Sequence, residues 1–102
     1  MTTPTPTQPI ILCCGDKGRA VLYGRVDADP VPGQPVTLHG ARMVLYWDAK
    51  CGGLLGLAAT GPKGDTRITH AVDRVTETVW QEAITVSVTA AAAISDWAPY
   101  RG

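Results

Sequence analysis

The fold of this chain is decided by the stretch Ile10-Ile-Leu-Cys-Cys-Gly-Asp-Lys-Gly-Arg-Ala-Val-Leu-Tyr-Gly-Arg-Val26. It contains two apolar runs separated by the turn residues Gly15–Gly18. Two apolar runs joined by a short connection bounded by glycines predict a β-hairpin. We therefore expect antiparallel strands over 10–14 and 19–26, with the rest of a sheet built outward from them.

After this hairpin the chain alternates short apolar runs with breaks rich in Gly and Pro. Strand-like patterns cover residues 36–39, 41–47, 66–72 and 75–89. Gly40 falls between two of these strands and indicates a bend or a bulge. Segment 54–60 is ambiguous, because its leucines favour a helical turn whereas Gly56 and the glycine pair before it weaken one.

One segment, at the C-terminal end, has a clear helical pattern. Thr89 is a suitable N-cap, Ala90–Ala93 are strong helix formers, and Ile94 and Trp97 continue an apolar stripe that Pro99 ends. The predicted fold class is mostly β. We expect a small antiparallel β-sheet or sandwich-like domain of six or seven short strands, with one short C-terminal helix that packs Trp97 against the sheet.

The length and composition predict one soluble domain. The chain has 102 residues, of which 45% are hydrophobic, and Gly and Pro together supply 19 of them. Residues 1–9 read as a disordered Pro/Thr tail, 10–98 as a single β-rich domain and 99–102 as a C-terminal tail. The apolar runs are too short for a membrane span or a secretory signal. Nine basic and nine acidic side chains balance, which argues against duplex nucleic acid as a partner.

The cysteines and histidines do not form a known metal or catalytic motif. Cys13, Cys14, Cys51, His39 and His70 are scattered, without the spacing of a zinc site. The adjacent cysteine pair suits a reducing compartment, and burial as small apolar side chains is the simplest role for all three thiols. A Cys51–His70 pair is conceivable through the fold but has no local signature. We therefore expect no metal, no cofactor and no enzyme activity.

The most distinctive stretch is the Gly-rich segment around residues 52–67. Gly56 and Gly61 have the separation found in a phosphate-binding loop, but Pro62 stands where that motif needs Lys, and Lys63 comes one residue late. A nucleotide-hydrolysing loop is therefore excluded. Two interpretations stay open: an ordinary exposed turn, or a shallow nest of backbone amides that holds a small anion. The side chains that would assist such a nest are Lys63, Thr66 and Arg67.

Aromatic residues suggest a contact surface. The strand that ends in Tyr46-Trp47 is apolar on nearly both faces, and one short helix is too small to cover two apolar sheet faces. The uncovered face is expected to meet a second copy of the chain, which predicts a homo-oligomer. Tyr46 and Trp47, together with Arg42 and Arg67, are candidates for a stacking pocket at such a contact, whereas packing in the core is the commoner role of such aromatic side chains.

Several of these pieces occur together in one family. The sequence Ala41-Arg42…Tyr46-Trp47, the segment from Gly53 to Pro62, Thr66-Arg67-Ile68, Ala71-Val72 and the closing helix with Trp97 resemble small phage and prophage proteins classed only as a domain of unknown function. The resemblance spans most of residues 10 to 98. It implies a viral or prophage origin and the bacterial host cytoplasm as the location, and it brings no established activity or catalytic residues.

Two functions follow from this reading. The first is a non-enzymatic binding protein that sequesters a small anionic host ligand such as a nucleotide signal. The second is a structural or assembly protein that forms homo-oligomers through its sheet faces and edges. For the first, the predicted ligand-binding residues are Lys63, Thr66, Arg67, Trp47 and Arg42.

Overall fold

The computed structural model describes residues 8–15 and 20–101. Over that part of the chain it contains six strands, β1 to β6, and two α-helices, with a short 3-10 helix over Ala49–Cys51. The strands are β1 (Gln8–Cys14), β2 (Ala20–Val26), β3 (Val36–Tyr46), β4 (Arg67–Ile68), β5 (Val72–Glu77) and β6 (Trp80–Thr85). The helices are α1 (Gly53–Thr60) and α2 (Val88–Asp96). The predicted fold class, mostly β with a C-terminal helix, is confirmed.

The predicted hairpin forms the centre of the sheet. β1 and β2 pair in antiparallel register from Gln8 opposite Val26 to Cys14 opposite Ala20. β1 thus begins two residues inside the predicted tail, and the carbonyl of Pro9 accepts a hydrogen bond from the Val86 amide. The rest of that tail, residues 1–7, and the turn residues 16–19 lie outside the described part.

The sheet curls strongly. Its strand order is β4-β3-β2-β1-β6, with β5 also paired to β3, so β5 and β6 lie at opposite edges. In a flat sheet these edges would be about 19 Å apart, at about 4.8 Å per strand. Residues 78 and 79 alone connect the two strands, and this connection reaches at most about 11 Å. The two edges are therefore drawn towards each other.

A bulge at Gly40 contributes to the bending. Tyr23 pairs with Arg42 and Arg25 with His39, so β3 carries one more residue than β2 between these two pairs. Gly40 has a φ of +60°, a left-handed conformation that glycine adopts at no steric cost. The expected bend or bulge at this glycine is confirmed.

Curling gives each face of the sheet its own core. The helix-side core combines Ile11, Val21, Tyr23 and Val44 of the strands with Leu57, Ala58, Ala90, Ala91 and Ile94 of the helices. The opposite core contains Ile10, Leu12, Cys14, Leu22 and Leu38, against which Val75 and Trp80 of the two edge strands pack. The second face is thus buried within one copy of the chain. The premise that it is left uncovered is wrong, and the homo-oligomer stays a prediction that needs another argument.

The segment 54–60, which the sequence leaves ambiguous, forms the helix α1. Its glycines weaken helix propensity, but burial of Leu57 and Ala58 in the helix-side core stabilises it. Gly56 is required here, because a Cβ atom at this position would lie 1.9 Å from the Cys51 carbonyl oxygen. Tertiary packing therefore determines that this segment is helical, which its local sequence preferences do not.

The helix α2 starts earlier than its sequence suggests. Its N-cap is Ser87, whose hydroxyl accepts a hydrogen bond from the Ala90 amide, at 3.0 Å. The predicted cap, Thr89, lies inside the helix. The segment 75–89, predicted to be strand-like throughout, contains instead the end of β5 up to Glu77, all of β6 from Trp80 to Thr85, and the start of α2. Ser87 also fastens this helix to α1, because its amide and hydroxyl donate to the carbonyls of Ala58 and Ala59.

The C-terminal segment lies on the domain. Trp97 packs against the helix-side core, as predicted, and its indole N–H donates to the Thr66 carbonyl at 2.8 Å. The Tyr100 amide donates to the Ile68 carbonyl at 2.8 Å. Residues 97–101, which we call the C-terminal strap, therefore run beside β4. Neither helix in the described ranges has the length and hydropathy of a membrane span.

Candidate ligand-binding surface

The turn at 61–65, for which the sequence leaves open a plain turn or an anion nest, contacts the protein's own carboxylate Asp48. Asp48 accepts hydrogen bonds from the amide of Lys50 through Oδ1 and from the amide of Asp65 through Oδ2, both at 2.9 Å. Gly64 has a φ of +62°, and a Cβ atom there would lie 2.6 Å from Asp48 Oδ2. One amide of this turn, that of Asp65, thus binds an anionic group, but the group is the side chain of Asp48.

This arrangement changes the acidity of Asp48. The Lys50 amide, and after it the Asp65 amide, stabilise the ionised carboxylate and lower the pKa of Asp48 below its ordinary value. The carboxylate is therefore charged at neutral pH. Through its two hydrogen bonds it connects the short 3-10 helix to the turn at 63–65.

Thr66 has a structural role in the same turn. Its side chain is buried, and its hydroxyl donates to the Lys63 carbonyl at 2.7 Å and accepts from the Asp48 amide at 3.2 Å. The Cys51 thiol lies 3.3 Å from the same oxygen. The Thr66 hydroxyl, one of the groups predicted to contact a ligand, is therefore engaged by the fold.

Arg67 lies against two tyrosines at the surface. Its guanidinium carbon is 5.6 Å from the centre of the Tyr46 ring and 5.1 Å from the centre of the Tyr100 ring. Tyr46 is the cross-strand partner of Arg67 in the β3–β4 ladder, and the C-terminal strap supplies Tyr100. Cation–π contacts of this kind restrict the side chain. We call these three residues the Tyr–Arg–Tyr cluster.

The hydrogen-bonding capacity of Arg67 is mostly unused. Its Nη2 donates to Asp65 at 3.2 Å, in an exposed ion pair. A guanidinium has five N–H donors, so the remaining four have no partner among the described residues. Lys63, close by in sequence, is exposed, whereas Trp47 is half-buried against the helix-side core.

Arg42 is a buried structural cation. Its Nε donates to the Thr69 carbonyl at 2.7 Å, Nη1 donates to the carbonyls of Ile94 and Ser95, and Nη2 donates to Trp97 at 2.8 Å. Helix ends leave carbonyls without partners, and a cation there also interacts favourably with the helix dipole. Arg42 therefore caps the C-terminus of α2. Burial lowers the pKa of Arg42 from its usual value.

A cavity of about 410 Å³ adjoins this cap. It is open to solvent and borders the residues that follow β4 and those that follow α2. Its lining residues are Arg42, His70, Ala71, Ser95, Asp96, Trp97, Ala98 and Pro99. Of the five predicted ligand-binding residues, only Arg42 lines it.

The five predicted residues do not converge on one pocket. Arg67 and Lys63 are exposed near the turn, Thr66 and Arg42 are buried and hydrogen-bonded to the backbone, and Trp47 packs inward. Sequence reasoning missed Tyr100 and Asp96, because nothing local links the last residues of the chain to β4. It also missed Asp48 as the anion in the turn, although an Asp before a short helix is a familiar capping signal.

The remaining titratable residues offer no second centre in the described ranges. There, no three His, Cys, Asp or Glu side chains group closely enough to hold a metal ion. Cys13 packs against the helix-side core and Cys14 lies in the opposite core, so the adjacent thiols are on different faces of the sheet. Burial, and then the charge of Glu82, raise the pKa of Cys13, whereas burial with the nearby Glu77 raises the pKa of Cys14 to about 11.

The fold and its surface define a small antiparallel β protein with two helices on one face and an arginine held between tyrosines. A family model described as a domain of unknown function, DUF6948, matches residues 7–97, and the chain belongs to this family. The match includes Arg42, Arg67 and Asp96 and ends before Tyr100. Searches of the curated proteins and of the solved structures gave no significant match.

Proposed function

We propose that this chain is a non-enzymatic binding protein that holds a small anionic ligand, such as a nucleotide, at the edge of the Arg67 guanidinium. The observation that carries the proposal is the Tyr–Arg–Tyr cluster. Cation–π contacts with Tyr46 and Tyr100 restrict the guanidinium and leave four N–H donors for an acceptor. A fixed planar donor fork matches the two oxygens of a phosphate or carboxylate.

Neighbouring charges tune this surface. Lys63 is exposed and adds a second positive charge in the same turn region, whereas Asp65 occupies one N–H of Arg67 and repels an incoming anion. A ligand that replaces Asp65 as the partner of Arg67 gains the hydrogen bond that this carboxylate now accepts. The affinity is therefore expected to rise when Asp65 loses its charge.

The setting of this activity follows from the resemblance to small phage and prophage proteins. We propose a viral or prophage origin and action in the cytoplasm of the bacterial host. A small protein that captures a host nucleotide signal needs no catalytic group, and it acts in proportion to the number of copies made.

The test is a thermal-shift screen of linear and cyclic nucleotides, followed by calorimetric titration of those that stabilise the protein. A ligand at a hundredfold excess over its Kd adds about 2.7 kcal/mol of stability. Arg67→Lys should weaken binding by about tenfold or more, because an ammonium does not reproduce the planar fork. Asp65→Asn should strengthen it.

The matched control is Arg74→Ala, which removes one exposed positive charge from β5. It should leave the affinity unchanged. No stabilisation by any nucleotide, or equal losses in Arg67→Lys and Arg74→Ala, would overturn the proposal.

A second candidate function, homo-oligomeric assembly, is favoured by a different observation. Met43 and Leu45 are 38% and 49% exposed at the end of β3, where β4 is only two residues long. Leu22, the cross-strand partner of Met43, belongs to the core opposite the helices. The exposed side chains of Met43 and Leu45 therefore extend the apolar surface of that core to the solvent. Light scattering of wild type, Leu45→Lys and the control Leu55→Lys on α1 tests it. Assembly through β3 predicts that Leu45→Lys alone lowers the mass.

A further inference from the structure

The cavity beside α2 is lined by two polar side chains, His70 and Asp96, that are exposed to solvent. Neither the carboxylate of Asp96 nor the imidazole of His70 has a hydrogen bond or an ion pair to any residue in the described ranges. Arg42, by contrast, directs its donors to four backbone carbonyls. The groups that remain for a ligand are therefore one carboxylate and one imidazole.

The charges at this cavity disfavour an anion. Arg42 is neutralised in part by the carbonyl oxygens and the negative end of the α2 dipole, and Asp96 adds a full negative charge. A phosphate or carboxylate group is repelled here. An uncharged group with N–H donors is favoured, because a carboxylate accepts two such bonds side by side.

The cavity and the Tyr–Arg–Tyr cluster are connected by two short stretches of chain. Pro99 lines the cavity, and the next residue, Tyr100, stacks on Arg67. His70, which also lines the cavity, follows Arg67 by three residues, a separation of at most about 11 Å. A ligand of moderate size is long enough to reach from one to the other.

We propose that the cavity holds the neutral body of the same ligand whose anionic group binds Arg67, and that Asp96 selects bodies with N–H donors. This inference rests on the proposed function and deepens it. The ligand class is then a phosphorylated heterocycle with exocyclic or ring N–H groups, such as a purine nucleotide. A volume of about 410 Å³ is within the range of small-molecule sites, while Trp97 and Pro99 supply apolar surface for the ring.

The experiment is calorimetric titration of the full chain with three probes: GMP, AMP and ribose 5-phosphate. The sugar phosphate offers the anion without the heterocycle. At least one of the two nucleotides should bind about tenfold or more tighter than ribose 5-phosphate, the change that one hydrogen bond to a charged group produces. Asp96→Asn should reduce that preference to about threefold or less and leave ribose 5-phosphate no weaker.

The control is Asp73→Asn, which removes an exposed carboxylate from β5 and should keep the full preference. Equal binding of nucleotide and sugar phosphate, or a preference that Asp96→Asn does not change, overturns the inference. In either case, the proposed function is still supported if ribose 5-phosphate binds the wild type and Arg67→Lys abolishes this binding. If none of the three probes binds, the inference fails, and the wider screen of linear and cyclic nucleotides decides the proposed function separately.

Discussion

Replacement of Arg42 by alanine should destabilise the domain severely. The substitution removes one buried guanidinium and its hydrogen bonds to the carbonyls of Thr69, Ile94, Ser95 and Trp97, of which Ile94 keeps the amide of Trp97 as a donor. A hydrogen bond to a charged group contributes about 1.5–3 kcal/mol to stability. These contributions do not add, and water from the adjoining cavity can replace part of them, so we expect a total loss of about 3–5 kcal/mol.

The measurement is urea unfolding followed by tryptophan fluorescence, at neutral pH. A loss of this size is a large fraction of the about 5–15 kcal/mol that stabilises an ordinary domain, so the midpoint should fall steeply. Arg74→Ala, an exposed arginine on β5, should change the free energy of unfolding by no more than about 0.5 kcal/mol. A loss below about 1 kcal/mol for Arg42→Ala would refute the account of Arg42 as the cap of α2.

Three further predictions concern the turn and the thiols. The pKa of Asp48 is lower in the folded protein than in the unfolded chain. The stabilisation that this carboxylate supplies is therefore present above the unfolded pKa and is lost as the pH falls through the folded pKa. The urea midpoints of Asp48→Ala and wild type should differ at neutral pH and converge in acid. Gly64→Ala should lower the free energy of unfolding by about 2–3 kcal/mol, because the new Cβ clashes with Asp48 and the backbone there is left-handed. The control Gly33→Ala is also left-handed but has nothing within 4 Å of its Cβ, and it should lower the free energy of unfolding by about 1 kcal/mol. Equal losses in urea unfolding would contradict this. Cys13 and Cys14, whose pKa values are raised, should react slowly with a thiolate-selective reagent in the native protein and rapidly in urea.

Local sequence patterns are sufficient to predict the central hairpin of the sheet, but they do not predict that the sheet curls. The hairpin of β1 and β2, the bulge at Gly40 and the C-terminal helix all follow from spacing and turn residues. Curling of the sheet follows instead from the two-residue connection between β5 and β6, which carries no signal until the strand order is known. This is why the second apolar face looked uncovered in the sequence.

The start of α2 shows a conflict between two signals. Residues 84–89 alternate between apolar and polar, which favours a strand, yet Ser87 stands three residues before Ala90, as an N-cap does. The structure follows the cap, and Val88 is consequently 87% exposed in the first turn of the helix. Hydrogen bonds from Ser87 to α1 decide between the two patterns.

The candidate site depends on contacts between distant parts of the chain. Arg67 was singled out for its charge beside a Gly-rich turn, and it is exposed. Arg42 was grouped with it, but its carbonyl partners lie 27 to 55 residues further along the chain, so its burial was not visible in the sequence. Tyr100 was assigned to a tail, although its ring completes the Tyr–Arg–Tyr cluster.

The central claim is that the Arg67 guanidinium binds the anionic group of a ligand. The most direct test is NMR observation of the arginine side-chain N–H signals while the protein is titrated with GMP. If Arg67 binds the phosphate, its signals shift and saturate, while those of Arg74, an exposed arginine on β5, do not move. Unchanged Arg67 signals, or equal shifts at both arginines, would contradict it.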